Sequence, residues 1–164
     1  MISQEELKRH LFYDPETGLF TRKISNTASV RAGDLAGSLC SGYLKIMVCG
    51  KRYFAHRLAW LYMTGKPATC LIDHINGDGT DNRFSNLRSA SKSQNGMNRK
   101  TQSNNRSGCP GVCWHKRLRR WIVSYKKNKK QVYVGCFDDL EEAKSASRMA
   151  RAENFGEFAS QRIE

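Results

Sequence analysis

The stretch Ile72-Asp73-His74-Ile75-Asn76-Gly77-Asp78, continuing through Asp81-Asn82-Arg83-Phe84-Ser85-Asn86-Leu87-Arg88 to Gln94-Asn95, decides how this chain reads. A carboxylate and an imidazole stand side by side as Asp73 and His74, followed by a loop of Asn, Gly and Asp and then by further amides at Asn86 and Asn95. Oxygen donors, one titratable ring and turn-forming residues coincide at set spacings, which is specific as a set although each residue alone has an ordinary use. Asp73 taken alone caps a turn, and His74 alone is a satisfied core histidine. Asn82 reads as a shaper of the loop, because asparagine bonds its own backbone in turns. Arg83 and Arg88 are phosphate contacts or solvated surface charge.

Upstream, Leu58, Leu61 and Tyr62 recur at helical spacing from His56 until Gly65 and Pro67 stop the helix. His56 reads as a packing or capping residue there, with an auxiliary phosphate contact as the alternative. Before it, 19–23 and 42–48 have strand character, the second turning at Cys49-Gly50-Lys51 into Arg52-Tyr53-Phe54, so a small antiparallel sheet is expected. Residues 2–13 read as a helix, with Ser3 as N-cap and Glu6 completing a capping box, and Asp14-Pro15-Glu16-Thr17-Gly18 then turns the chain.

Downstream, 92–108 hold almost no bulky apolar residue and read as a polar linker after any short helix, placing a domain boundary near Gln102. The expected division is 1–102 and 103–164. Beyond it come three candidate strands at 111–115, 120–125 and 131–135, with Asn128 in a Lys-rich turn. Trp121, Val123 and Tyr125 share one face of the middle strand. Asp138-Asp139-Leu140-Glu141-Glu142-Ala143 opens a helix with its acids at the positive end of the dipole, and Ala143, Ala146 and Ala150 form a stripe suited to close packing on a sheet. The fold class that follows is α+β.

Charge narrows the partner. The 164 residues carry 28 Lys and Arg against 15 Asp and Glu, a formal net charge of +13. No acid occurs between Asp81 and Asp138, a gap of 56 residues holding 14 Lys and Arg. A polyanion is the natural partner of such a surface, bound with release of condensed counterions. There is no apolar run long enough for a membrane span and no signal-peptide core at the N-terminus, so a cytoplasmic protein with reduced thiols is expected. The six cysteines lack a CxxC pair; Cys109 and Cys113 with His115 nearby are either a zinc arrangement or ordinary thiols.

Residues 50–98 resemble the HNH nucleases, in the phage and homing branch where the last histidine is replaced by asparagine, and Tyr53-Phe54-Ala55-His56-Arg57-Leu58-Ala59-Trp60 resembles the lead-in common to them. The resemblance implies a ββα-metal module, with Asp73 and Asn95 as ligands of one divalent cation, His74 as general base and Asn86 steadying the loop and the base. A neutral imidazole takes a proton from water near neutral pH, and an oxygen-ligated cation stabilises charge on phosphorus, for which Mg2+ or Mn2+ suits better than zinc. Neighbouring strand residues point to opposite sides, so a twist or bulge is expected where Asp73 and His74 serve one site. The implied products are a 5′-phosphate and a 3′-hydroxyl.

Residues 104–159 resemble the AP2/ERF DNA-binding domain, on Ser107-Gly108-Cys109-Pro110-Gly111-Val112, Trp121, Tyr133-Val134-Gly135-Cys136-Phe137, Glu141-Glu142-Ala143 and Phe155-Gly156-Glu157-Phe158-Ala159. That family lays a three-stranded sheet into the major groove with its helix behind, which implies contacts from Trp114, Lys116, Arg117, Arg119, Arg120, Lys126 and Tyr133, besides Arg83 and Arg88 in the first module. Cys113 and Trp114 stand where arginines are usual in that family, and Trp114 is a core aromatic in the alternative reading. Together the two resemblances imply a DNA endonuclease acting on double-stranded DNA. It would be a monomer or weak dimer of phage or prophage origin in a bacterial host, with no obligate protein partner and no membrane. A DNA-binding regulator on a nuclease-like scaffold is the alternative.

Overall fold

The hydroxyl of Ser3 accepts the Glu6 amide at 3.1 Å and starts helix α1 (Gln4–His10) where the capping pattern places it. The helix stops short of the expected residue 13, and Leu11–Tyr13 is instead strand β1, paired antiparallel with β2 (Phe20–Arg22). Leu11 and Tyr13 are buried while Phe12 is exposed, so the pairing uses the period of two that a strand requires. The 3-to-4 spacing of Leu7 and Leu11 imitates a helix locally, and the partner strand overrides it. The computed structural model describes residues 2–25, 30–98, 105–127 and 130–159.

Two compact units make up the chain, residues 1–92 and 93–164. In the first, β3 (Ser38–Cys40), β4 (Tyr43–Val48) and β5 (Lys51–Phe54) form an antiparallel sheet in that order. Ile46 and Val48 point from β4 into a core built with Leu7, Leu11, Tyr13 and Phe20. Helix α2 (Ala55–Thr64) sets Ala55, Leu58, Ala59 and Leu61 into the same core and ends at Gly65 in the left-handed region, as its sequence pattern requires. Strand β6 (Leu71–His74) pairs antiparallel with β7 (Leu87–Ala90), and the loop between them closes through a 3-10 turn at Phe84–Asn86.

Helix α3 (Lys92–Met97) lies at the boundary and is followed by β8 (Val112–His115), β9 (Arg120–Lys127) and β10 (Lys130–Phe137). These pair antiparallel in the order β10-β9-β8, with a register shift between Tyr133 and Gly135. Asp139 caps helix α4 (Leu140–Phe155) by accepting the amides of Glu141 and Glu142, and Ala143, buried completely, brings the helix close to Val112, Val123 and Cys109. Trp121 packs on this cluster too, so the helix-side face of the middle strand is the one expected. The boundary expected near Gln102 and the turn at Asn128 lie outside the described residues. The fold is α+β with small antiparallel sheets, and among the described residues no helix is long and apolar enough to cross a membrane.

The turn between β1 and β2 reaches the β6–β7 loop. A Cβ on Gly18 would stand 2.4 Å from the Arg83 amide nitrogen and 2.5 Å from the Asn82 carbonyl carbon, and the Phe84 amide donates to Pro15 O at 3.0 Å. Gly50 has a similar positive φ, +71° against +75°, but open space around it. Gly50→Ala is therefore expected to cost only the left-handed penalty, about 1 kcal/mol, while Gly18→Ala costs roughly 2–4 kcal/mol because backbone must give way as well. Urea unfolding of both variants measures the difference; equal costs would show that the turn does not press on the loop.

Candidate active site

Strand β6 delivers three consecutive buried side chains, Ile72, Asp73 and His74, at 9%, 6% and 5% exposure. Its ladder with β7 runs without a register shift from Leu71↔Ala90 to His74↔Leu87, so the pairing contains no bulge at Asp73 and His74, and the Asp73 charge still acts on the imidazole. Asp73 stands opposite Arg88, whose Nε and Nη2 donate to its Oδ2 at 3.0 and 2.8 Å. Both side chains are nearly enclosed, which makes the pair costly to break from one side.

His74 is held from several directions. Its Nε2 lies 3.2 Å from Asn82 Oδ1, its ring meets His56 edge-on at 5.0 Å and 85°, and Tyr43 tilts against it at 6.0 Å. Burial pushes the imidazole below its ordinary pKa; the Asn82 bond and the charges of Asp73, Asp78 and Asp81 partly offset this. The ring is thus neutral at ordinary pH, the form that accepts a proton.

The loop after His74 has no apolar core of its own and is tied by side chains. Asn76 Oδ1 accepts the Asp78 amide at 2.8 Å, Asp78 Oδ1 accepts from both the amide and hydroxyl of Thr80, and Asn76 Nδ2 donates to Asp81 Oδ2 at 2.8 Å. Asn86 closes the network: Oδ1 accepts the Asn76 amide at 3.0 Å while Nδ2 donates to Asn76 Oδ1 and Asp81 O. These bonds hold the loop, whereas the side-chain amide beside the imidazole belongs to Asn82. Asn82 is 1% exposed, deeper than a turn residue needs to be, and the sequence reading gave it only the loop. Depth was the missing signal, and no local pattern carries it.

His56 packs, as the sequence reading has it, but in a particular place. It is 8% exposed, stacked on Phe54 at 5.3 Å and flanked by Tyr43 at 5.7 Å, and its buried Nδ1 has no hydrogen-bond partner among the described residues. Burial first, then the His74 and Arg57 charges, push its pKa down to about 4.

The remaining candidates fall in different surroundings. Arg83 chelates Asp81 through Nε and Nη2 at 2.9 and 2.6 Å and stays half exposed, and Arg88 is engaged with Asp73. Asn95 stands half-buried on α3, in the second unit. On the second sheet Trp114 pairs with Trp121, so it belongs to the helix-side face although 44% exposed; their rings meet at 5.0 Å. Alternation leaves Arg120, Lys126 and Tyr133 on the outer face, Tyr133 at 61% exposure, with Arg120 ion-paired to Asp138. Lys116, Arg117 and Arg119 occupy the exposed turn between β8 and β9. Cys109 is buried in the core while Cys113 is exposed, and no group of three His, Cys, Asp or Glu that could hold a metal exists among the described residues.

Comparison with known proteins bears on this same region. The HNH endonuclease family matches residues 53–97, which span α2, the β6–β7 hairpin and α3. Protein 3.8 of Escherichia phage T7 is 33% identical over 105 residues, covering 63% of this chain and 86% of that protein.

The buried neutral His56 makes stability depend on pH. Unfolded, it takes up a proton below the ordinary 6.5; folded, it does so only near 4. The stability it contributes is full above 6.5 and is lost as pH falls toward 4, by an amount on the order of 3 kcal/mol. Unfolding titrations across that window should show the loss in the parent protein and a flatter profile in His56→Phe. Parallel profiles would rule out His56 as the group responsible.

Proposed function

This chain carries an HNH endonuclease domain and belongs to one family with protein 3.8 of Escherichia phage T7, and from that membership we propose that it is a metal-dependent endonuclease hydrolysing phosphodiester bonds in double-stranded DNA. The observation that carries the reading is His74: a buried imidazole, neutral at ordinary pH, beside the enclosed carboxylate of Asp73 at the root of a loop tied by amides. In the proposed step His74 takes a proton from water, the water oxygen bonds to phosphorus, the bond from phosphorus to the 3′-oxygen breaks, and that oxygen takes a proton from solvent, giving a 5′-phosphate and a 3′-hydroxyl. One site per chain makes a nick the expected product of a monomer.

The donors suit a hard cation. Asp73 offers a buried carboxylate whose Oδ2 accepts twice from Arg88, and carboxylate oxygen is a ligand that hard cations prefer. An amide oxygen such as that of Asn95, the further ligand the HNH resemblance implies, suits Mg2+ or Mn2+ as a carboxylate does. When bound, the cation supplies charge stabilisation at phosphorus and at the leaving oxygen. Asn86 keeps the loop in shape, a task its three bonds to Asn76 and Asp81 support.

The second unit serves as the DNA anchor in this reading, on the pattern of an AP2/ERF-like domain. Support comes from an antiparallel three-stranded sheet backed by one helix and from a basic outer rim formed by Lys116, Arg117, Arg119, Arg120 and Lys126, with Tyr133 exposed among them. Arg83, half exposed in the first unit, is a further phosphate contact. Tethering raises the local concentration of the cutting unit on the duplex.

Incubating supercoiled plasmid with the protein and Mg2+, Mn2+ or EDTA should give metal-dependent open circles, with His74→Ala binding DNA but cutting at least about 10²-fold more slowly. Equal cutting by the variant would remove His74 as base, and absence of cutting with any metal would leave a DNA-binding regulator. For the anchor, Lys116→Ala with Lys126→Ala should weaken duplex binding and lower the slope of log affinity against log salt by about 1–2. An unchanged slope would take the phosphate contacts elsewhere.

A further inference from the structure

The two ends of the Asn82 amide face different partners. Nδ2 donates to Thr80 O at 3.0 Å, and a backbone carbonyl can only accept, so the amide is oriented with Oδ1 toward His74 Nε2 at 3.2 Å. An amide oxygen likewise only accepts. The ring nitrogen facing it must therefore carry the hydrogen, which leaves the lone pair of the neutral ring on Nδ1.

Asn82 is itself fixed from outside the loop. Its carbonyl oxygen accepts the buried Tyr13 hydroxyl at 2.7 Å, and the Gly18 turn lies close against the Asn82–Arg83 peptide. The imidazole has little room to turn over, because His56 meets it nearly at right angles and Tyr43 covers another side. A hydrogen bond this deep, with both partners under a tenth exposed, is shielded from competing water.

We propose that Asn82 is a positioning residue that sets the tautomer of His74, holding hydrogen on Nε2 and presenting Nδ1 as the nitrogen that receives the proton of the attacking water. The catalytic half of this assignment rests on the reading of His74 as base; the ring assignment does not. Tyr13, through the Asn82 backbone, makes the N-terminal hairpin part of the support.

Protein labelled with 15N in its histidines, observed by long-range 1H–15N correlation at about pH 8, above the ordinary imidazole range, reads the tautomer directly. In the parent protein His74, assigned by loss of its signals in His74→Gln, should show an unprotonated Nδ1, a protonated Nε2 and a slowly exchanging ring N–H. Asn82→Leu should bring the two nitrogen shifts toward each other, abolish the protected N–H and lower kcat by roughly 10²-fold with KM within about twofold. Asn82→Asp, which still accepts, should retain the tautomer and most of the activity.

A parent protein with hydrogen on Nδ1, or Asn82→Leu shifts and kcat that do not move, overturns the proposal. The parent measurement does not depend on the leucine variant, so a leucine variant that fails to fold cannot shelter the proposal. The expected tautomer in a protein that cuts nothing would sink the base reading while the ring assignment stands.

Discussion

A loop with almost nothing apolar in it has to hold a buried imidazole at its root. Between β6 and β7 Phe84 packs on Trp60, and the rest of the loop is closed by the hydrogen bonds of Asn76, Asp78, Asp81, Asn82 and Asn86. Each buried polar atom must find a partner or cost free energy comparable to a lost bond. Asn82 meets three demands at once: its oxygen faces His74, its nitrogen faces Thr80, and its backbone oxygen takes the Tyr13 hydroxyl.

That dependence explains why the N-terminal region is folded onto the nuclease core rather than attached to it. Tyr13, Pro15 and Gly18 all touch the loop, and β4 and β5 supply Tyr43 and Phe54 to the aromatic surroundings of the two histidines. The match to the HNH endonuclease family starts at residue 53, yet the side chains that brace its histidine begin at residue 13. Burial by these groups keeps both His56 and His74 below the usual imidazole range, which suits a base and penalises the fold in acid.

Much of the architecture was legible because it is written in local chemistry. Ser3 and Asp139 start helices with their own oxygens, Gly65 stops one with its left-handed backbone, and the alternation in 43–48 puts Ile46 and Val48 inside. Where local spacing misleads, a distant partner decides: Leu11–Tyr13 has helical spacing to Leu7 but pairs with Phe20–Arg22, and Ser38–Cys40, to which the sequence assigns no element, pairs with β4. Trp114 shows the same limit, since its face follows from registry with Trp121 and not from its neighbours.

By itself the sequence determined the chemical inventory: an adjacent carboxylate and imidazole, a run of amides at set spacing, and a long acid-free basic stretch suited to a polyanion. Only the tertiary structure decided that Arg88 faces Asp73, that His56 lies against His74, and that the amide beside the imidazole is Asn82's, not Asn86's. The reason is physical: residue type and spacing specify what a side chain can donate or accept, but burial and pairing come from strands and turns far away in the chain.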